Sequence, residues 1–334
     1  MFEGLWFSHL PALIRRISKC RGVVFALHRV LPGEPADFSP NASLQVTPEY
    51  LEFAIRRVRE LGLEIVDLGE ALRRVESDAP EKPFAVFTFD GGYRDNLRHA
   101  LPILRRNQCP FTLYVPTAFA DGVGEVWWQA LEDIIAAQDA VAVGYAGETD
   151  YLPTATLTEK EETFAELNRR MRSMPEAERV ELMRALAAQY GFDLASHCRE
   201  LIMDWAELRI FAHDQLCTLG SKTVHHYELS KLAPSDARNE IEQSARVIKA
   251  QFGTAPIHLS FPIGSPDACG PREFELAKEL GFRSAVTSSP GGLYARHRDS
   301  MFALPRVALD GRLQMRRYVD VFATGAVFGR LPGG

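Results

Sequence analysis

Long apolar runs, basic blocks, paired cysteines and internal repeats are all missing from this chain of 334 residues. Each absence removes a class of protein. No run of 18 apolar residues occurs, so no membrane-spanning helix is expected. The first twenty residues carry Glu3, His9, Arg15, Arg16 and Lys19, without the basic, apolar, then small order of a secretory leader. Leu5, Trp6, Leu10, Leu13, Ile14 and Ile17 make one face of an amphipathic helix, and packing on the domain is expected rather than membrane contact. The net charge is −6 with no long basic block, which argues against nucleic acid or anionic lipid as the main partner. Cys20, Cys109, Cys198, Cys217 and Cys269 are odd in number, scattered and without a CxxC pair. They read as reduced, buried thiols rather than a disulfide framework or zinc knuckle. A cytoplasmic location is the expectation.

What is present is a rhythm. With 46% hydrophobic residues, the chain can fill one barrel-sized core. Residues 22–27 (GVVFAL) read as a buried strand closed by His28 and Arg29, and 32–45 as loop. Thr47 is placed as an N-cap with Pro48 in the first helical position, predicting a helix to about Leu61. A short strand at 64–66 and a helix over 68–75 follow. Residues 84–89 (FAVFTF) then predict a strand buried on both faces, delivering Asp90 to its carboxyl end where Gly91 and Gly92 turn the chain. A helix over 96–106, kinked at Pro102, leads to a strand at 111–115 (FTLYV). Such alternation predicts parallel strands joined by right-handed crossovers.

Between 121 and 213 the rhythm breaks. Helices at 127–137, 158–171 and 175–190, another from 203, and a hairpin over 140–153 around Gly147 read as a helical insertion. It is placed inside a single domain spanning 1–334. The outer faces of these helices are polar enough that no independent core is expected of them. Alternation resumes with a strand at 215–219, a helix over 235–252 and a strand at 257–261. A helix over 271–280, stopped by Gly281, and a strand at 284–287 complete it. Seven strands suit a barrel better than an open sheet.

In parallel α/β folds, chemistry collects at the carboxyl ends of strands. Standing there are His28 and Arg29, Asp90, residues 220–226 (GSKTVHH), residues 262–265 (PIGS), and Arg306 in the segment 304–307 (LPRV). A converging Asp, Lys, His and Arg supply a base, an acid and a charge stabiliser, the set that hydrolysis or acyl transfer needs. The plain alternative is that Asp90 merely caps the next helix. His9, His99, His197, His213 and His258 lack partners at ligand spacing and read as surface or satisfied core residues. Cys217 reads as a small buried hydrophobe. Ser221 lacks the neighbouring His–acid pair of a serine hydrolase.

Thr88-Phe89-Asp90-Gly91-Gly92-Tyr93 resembles the TFDDGY motif of the NodB-homology polysaccharide deacetylases, carbohydrate esterase family 4. Residues 220–226 resemble that family's second motif, in which two histidines four apart follow a glycine. Phe261-Pro262-Ile263-Gly264 resembles its third. The three stand in the family's order across most of the chain. The resemblance implies an irregular (β/α)7 barrel, here with a helical insertion, that removes N- or O-acetyl groups from sugars with a divalent metal such as zinc. It implies an acylated saccharide or lipid-linked glycan of a surface-polysaccharide pathway as partner. Tyr93, His225, Pro262 and Gly264 are expected to contact that saccharide, with Trp127 and Trp128 of the insertion offering rings to stack on it.

The departures from the pattern are specific. In the family the first aspartate is the base, and the second binds metal with the two histidines. Asp90 keeps the base position, but Gly91 stands at the ligand position and Lys222 at the first histidine, leaving His226 alone. Ser260 stands where the third motif's arginine is expected. Glycine offers no donor, an ammonium repels a cation, and catalytic zinc takes three protein ligands. No metal cofactor is therefore expected. Asp90, Lys222 and neutral His226 sum to zero charge, as does the family's metal site, so Lys222 is expected in the metal's place, paired with Asp90. The expected function is a metal-independent carbon–nitrogen or ester hydrolase. Asp90 or His226 would activate water, and Lys222 or Arg306 would steady the oxyanion. The alternative is a catalytically silent saccharide-binding or scaffold protein. A third reading recruits metal through His28, His225 or Asp95.

Overall fold

The computed structural model describes residues 19–79, 81–145 and 148–323. The amphipathic stretch at 5–17 and Gly147 lie outside them. The chain enters through β1 (Gly22–Leu27), and a small parallel pair, β2 (Arg29–Val30) and β3 (Gln45–Val46), leads it outward. Helix α1 (Pro48–Glu60) starts as expected: Thr47 accepts the Tyr50 amide, and Pro48 sits where no backbone donor is needed. Then come β4 (Glu64–Ile65), α2 (Leu68–Glu76) and β5 (Phe84–Asp90), every residue of which is buried. The kink expected at Pro102 takes the form of a change of helix type. A π turn (Asn96–Ala100), with Leu101 N–H reaching back to Asn96 O, hands over to α3 (Leu101–Arg106), which carries Pro102 in its first turn. Strand β6 (Phe111–Val115) follows.

After α4 (Thr117–Ala120), the span 121–213 expected to be an insertion holds α5 (Trp127–Ala136), the antiparallel pair β7 (Ala140–Tyr145) and β8 (Glu148–Pro153), α6 (Leu157–Ser173), α7 (Glu176–Gln189), α8 (Leu194–Leu201) and α9 (Trp205–Ala212). Contrary to expectation, it gathers an apolar cluster of its own. Leu131, Ile134 and Ile135 of α5 meet Phe164 and Leu167 of α6 and Met183 of α7, with Val141 and Val143 of β7 closing the side. The polar outer faces are real, but three narrow apolar stripes facing one another suffice to exclude water. The chain then returns through β9 (Cys217–Ser221), α10 (Pro234–Phe252), β10 (His258–Ser260), α11 (Pro271–Glu279), β11 (Ser284–Val286), β12 (Val307–Ala308) and α12 (Arg316–Phe322).

The main sheet is parallel throughout, in the order β11-β10-β9-β6-β5-β1-β12, with β4 also pairing β5. Val286 bridges Leu304 while Val307 pairs with Phe25, so the two ends of the sheet meet on one segment, 304–308. The sheet curls into the expected barrel-like form. Outward-pointing Phe25, Phe87, Phe89, Phe111 and Leu113 pack under the helices, while Val24, Val86, Tyr114, Val286 and Leu304 fill the inside. Burial on both faces explains the unbroken apolar runs. Gly220 is required here, since a Cβ would lie 2.4 Å from the Tyr114 ring. Strand β9 runs two residues later than predicted. Its register, Phe111↔Cys217 through Val115↔Ser221, puts Lys222 one residue past the strand end.

Candidate functional site

Asp90 ends β5, Lys222 follows β9, Ser260 ends β10, Arg306 precedes β12, and His28 follows β1. Their side chains meet over the interior. Arg306 grips Asp90 as a fork, with Nη1 donating to Oδ1 at 3.0 Å and Nη2 to Oδ2 at 2.8 Å. Nη1 also donates to Thr88 Oγ1 at 3.1 Å, Nη2 to Ser260 Oγ at 3.1 Å, and Nε to the Thr287 carbonyl at 2.9 Å. All five guanidinium N–H bonds thereby find acceptors. Lys222 Nζ donates to Asp90 Oδ2 and Ser260 Oγ, both at 3.0 Å, and to the Phe261 carbonyl at 3.4 Å. Three acceptors around an ammonium use its three protons. Asp90, Lys222 and Arg306 are 1%, 3% and 3% exposed. The predicted Lys222–Asp90 pair is present, and Arg306, from another segment, bonds both Asp90 and the serine at the third motif.

Arg306 changes the charge sum. Asp90, Lys222 and Arg306 together carry +1, not the zero obtained without the arginine. Burial alone pushes the Asp90 carboxyl up, yet Arg306 and then Lys222 hold it well below the usual carboxylate range. Burial pulls the Lys222 ammonium down, and Asp90 opposes that. A carboxylate with both oxygens engaged and so low a proton affinity is a poor base, which corrects the expectation that Asp90 activates water.

Two imidazoles face this cluster. His28, with its side chain 29% exposed, places Nε2 3.9 Å from Asp90 Oδ2, and desolvation pulls its pKa down to about 4. His28 is the site residue that sequence reasoning underweighted, although its position just after a buried strand was the available signal. His226 is held well below its usual range by burial and then by Lys222. Its ring packs on Trp128 at 5.0 Å and Phe119 at 5.9 Å. Thr223, His226 and Ile263 adopt left-handed backbone, with φ of 64°, 62° and 61°, so both rim loops hold strained conformations of the sort that functional loops retain. His225 turns away from the cluster. Glu240 accepts its Nδ1 at 2.6 Å and its backbone N–H at 2.8 Å, raising its pKa, and its ring stacks on Tyr227 at 4.9 Å. The two neighbouring histidines thus serve different surroundings, which separates His225 from the saccharide contact expected of it at the cluster.

Several expected saccharide contacts are core instead. Tyr93 is 1% exposed and takes the Trp128 indole N–H on its hydroxyl at 3.1 Å. Trp127 is buried in the insertion's core; Trp128 alone of the three rings stays part-exposed. The amphipathic rings were consumed by packing, the commoner fate of aromatics near a strand end. Pro262 and Gly264 are buried and shape the loop that presents the Phe261 carbonyl. Asp95 is tied to Arg29 at 2.9 Å and to the Val30 amide at 3.0 Å, away from the cluster.

The sequence model for polysaccharide deacetylase matches residues 77–285, well over half of the chain and including all three motifs. The chain belongs to the polysaccharide deacetylase family. YxkH of Bacillus subtilis (strain 168), which bears the name of a polysaccharide deacetylase, is 21% identical over 267 residues, covering 78% of this chain and 67% of that protein. The deacetylase PplD of Streptococcus pyogenes, solved in complex with acetate, superposes with a TM-score of 0.55 at 16% identity, covering 90% of this chain and 97% of its own. IcaB from Ammonifex degensii gives the same TM-score and identity over 92% and 97%. These likenesses establish the fold.

The family's divalent metal does not fit the residues present here. Of the three ligand positions, Gly91 has no side-chain donor and Lys222 brings a cation, leaving His226. Both oxygens of the neighbouring Asp90 are already taken. Among the described residues, no group of three His, Cys, Asp or Glu side chains could hold an ion.

Proposed function

We propose that this member of the polysaccharide deacetylase family recognises an acylated saccharide at its rim and is silent for the family's metal-dependent hydrolysis. The observation that carries this reading is the closure of Asp90 by the Arg306 fork and Lys222, with all three side chains withdrawn from solvent. The ammonium takes the metal's electrostatic place without its chemistry, since an ammonium cannot acidify water. Acylated glycans of a surface-polysaccharide pathway, free or lipid-linked, are the ligand class that the family's deacetylases suggest. The experiment measures glycan binding and acetate release together on a panel of acetylated oligosaccharides, with and without chelator. Binding without release is expected, together with sub-stoichiometric zinc in purified protein. Release that chelator abolishes would overturn the reading.

A second reading is favoured by His28. Its neutral, part-exposed imidazole beside a buried cluster of net charge +1 is the arrangement a metal-independent acyl hydrolase needs, with a proton acceptor next to a field that steadies an oxyanion. Acetate release that survives chelator and is lost in His28→Asn would establish it over the binding-only form.

A further inference from the structure

Helix α7 carries Arg179, whose side chain is 4% exposed. It lies 5.4 Å from the centre of the Trp127 ring and 5.8 Å from that of Tyr227. Glu176 Oε2 accepts from its Nε at 2.8 Å and pairs with Nη2 at 2.7 Å. Nη1 has no hydrogen-bond partner among the described residues. Buried donors are nearly always satisfied in native folds, and a charged one left bare is the costliest kind. Here the carboxylate and two rings fix the group while one buried edge carries no acceptor, which is how a recognition donor is pre-organised.

A second orphan lies in the same wall. His226 Nδ1 is buried without a hydrogen-bond partner among the described residues. The His226 ring packs on Trp128 at 5.0 Å and Trp128 on Trp127 at 5.9 Å, so one continuous chain of rings joins the imidazole to the guanidinium. The two unpartnered groups therefore come from opposite sides, one from the insertion and one from the loop after β9.

We propose that Arg179 and His226 form a saccharide subsite between the insertion and the rim, in which Arg179 donates to a carbonyl or hydroxyl oxygen of a neutral acylated sugar. This rests on the saccharide reading above and names its recognition residue. Charge balance selects a neutral ligand. On the insertion side Glu176 already neutralises Arg179 and Glu125 neutralises Arg184, so Arg179 offers no net charge to an anion, whereas hydroxyls and acyl carbonyls need only a donor. The insertion, absent from a plain βα alternation, thereby brings a donor to a rim whose own cations are engaged by Asp90.

The test is NMR of the guanidinium and imidazole nitrogens in the full chain. The protein is titrated with acetamide and, separately, with the tetramer of N-acetylglucosamine and its de-N-acetylated counterpart. Arg179→Met keeps an unbranched stem between the two rings and removes the donors; Arg169→Met, on an exposed face of α6, is the control. The acetylated tetramer and acetamide should each shift the Arg179 and His226 signals. Affinity for the tetramer should fall about tenfold or more in Arg179→Met, the worth of one charge-assisted hydrogen bond, and stay unchanged in the control. Tetramer binding that moves neither group overturns the subsite while leaving the saccharide reading intact. Acetamide shifts at both groups without any glycan binding leave an amide-binding pair and overturn the saccharide subsite together with the saccharide reading. If neither probe moves either group, the subsite falls, whether or not Arg179→Met folds.

Discussion

Lys222 Nζ stands 3.0 Å from Asp90 Oδ2, with both groups closed off from water. At that separation and an effective dielectric near 20, the raw attraction is on the order of 5 kcal/mol, most of it offset by desolvation. The pair matters mainly because breaking it is costly. Asp90→Asn leaves two buried cations facing each other and should cost about 3–5 kcal/mol. Lys222→Met leaves the Asp90–Arg306 fork, which is neutral, and should cost clearly less. Urea unfolding of the two variants checks the order. A Lys222→Met variant less stable than Asp90→Asn would contradict this electrostatic account.

Acid should weaken the fold across the range in which free imidazoles take up protons. His258 is buried against Ser284, and desolvation takes its pKa from 6.5 to about 4, as it does that of His28. The unfolded chain binds these protons below pH 6.5, whereas the folded chain resists until about pH 4. Stability is therefore fully present above pH 6.5 and falls as the pH drops towards 4, by on the order of 3 kcal/mol for a fully shifted histidine. His258→Asn should flatten that part of the profile. An unchanged slope between pH 6.5 and 4 would show that His258 is protonated in the folded state.

Gly91 has φ of +98°, and a Cβ there would lie 2.9 Å from the Tyr93 ring. Gly91→Ala should cost about 1–3 kcal/mol for the backbone alone. Gly91→Asp meets the same obstacle, so restoring the family's carboxylate does not by itself restore a metal site. Thermal unfolding of Gly91→Ala with no loss of midpoint would remove this constraint.

Glu240 accepts the Val224 and His225 amides, at 3.1 and 2.8 Å, as well as the His225 ring. The raised pKa of His225 means its contribution is fully present below pH 6.5 and is lost as pH rises through the folded value. Glu240→Gln should return His225 towards 6.5 in an NMR titration and loosen the loop that carries His226. A His225 pKa unmoved by the substitution would show that another group sustains it.

The order of elements was legible in the sequence because its signals are local. Apolar runs mark β1, β5 and β6, Thr47-Pro48 marks the start of α1, and three motifs mark the ends of β5, β9 and β10. Lys222 beside Asp90 was legible too, since parallel strands bring their carboxyl ends together and a lost ligand coincided with a gained cation. The charge of the site was not. Arg306 lies 216 positions from Asp90 in the chain, and only the curl of the sheet that lets segment 304–308 reach both β11 and β1 brings the guanidinium onto that carboxylate. Nor could the sequence separate ring from core: Tyr93, Trp127 and Trp128 look alike as aromatics, and packing against the insertion left only Trp128 part-exposed. Composition and spacing determined which chemical groups would stand at strand ends. Which of them cancel, which stay neutral and which remain unpartnered was decided by three-dimensional proximity, because Coulomb energies and desolvation depend on distance and burial rather than on position along the chain.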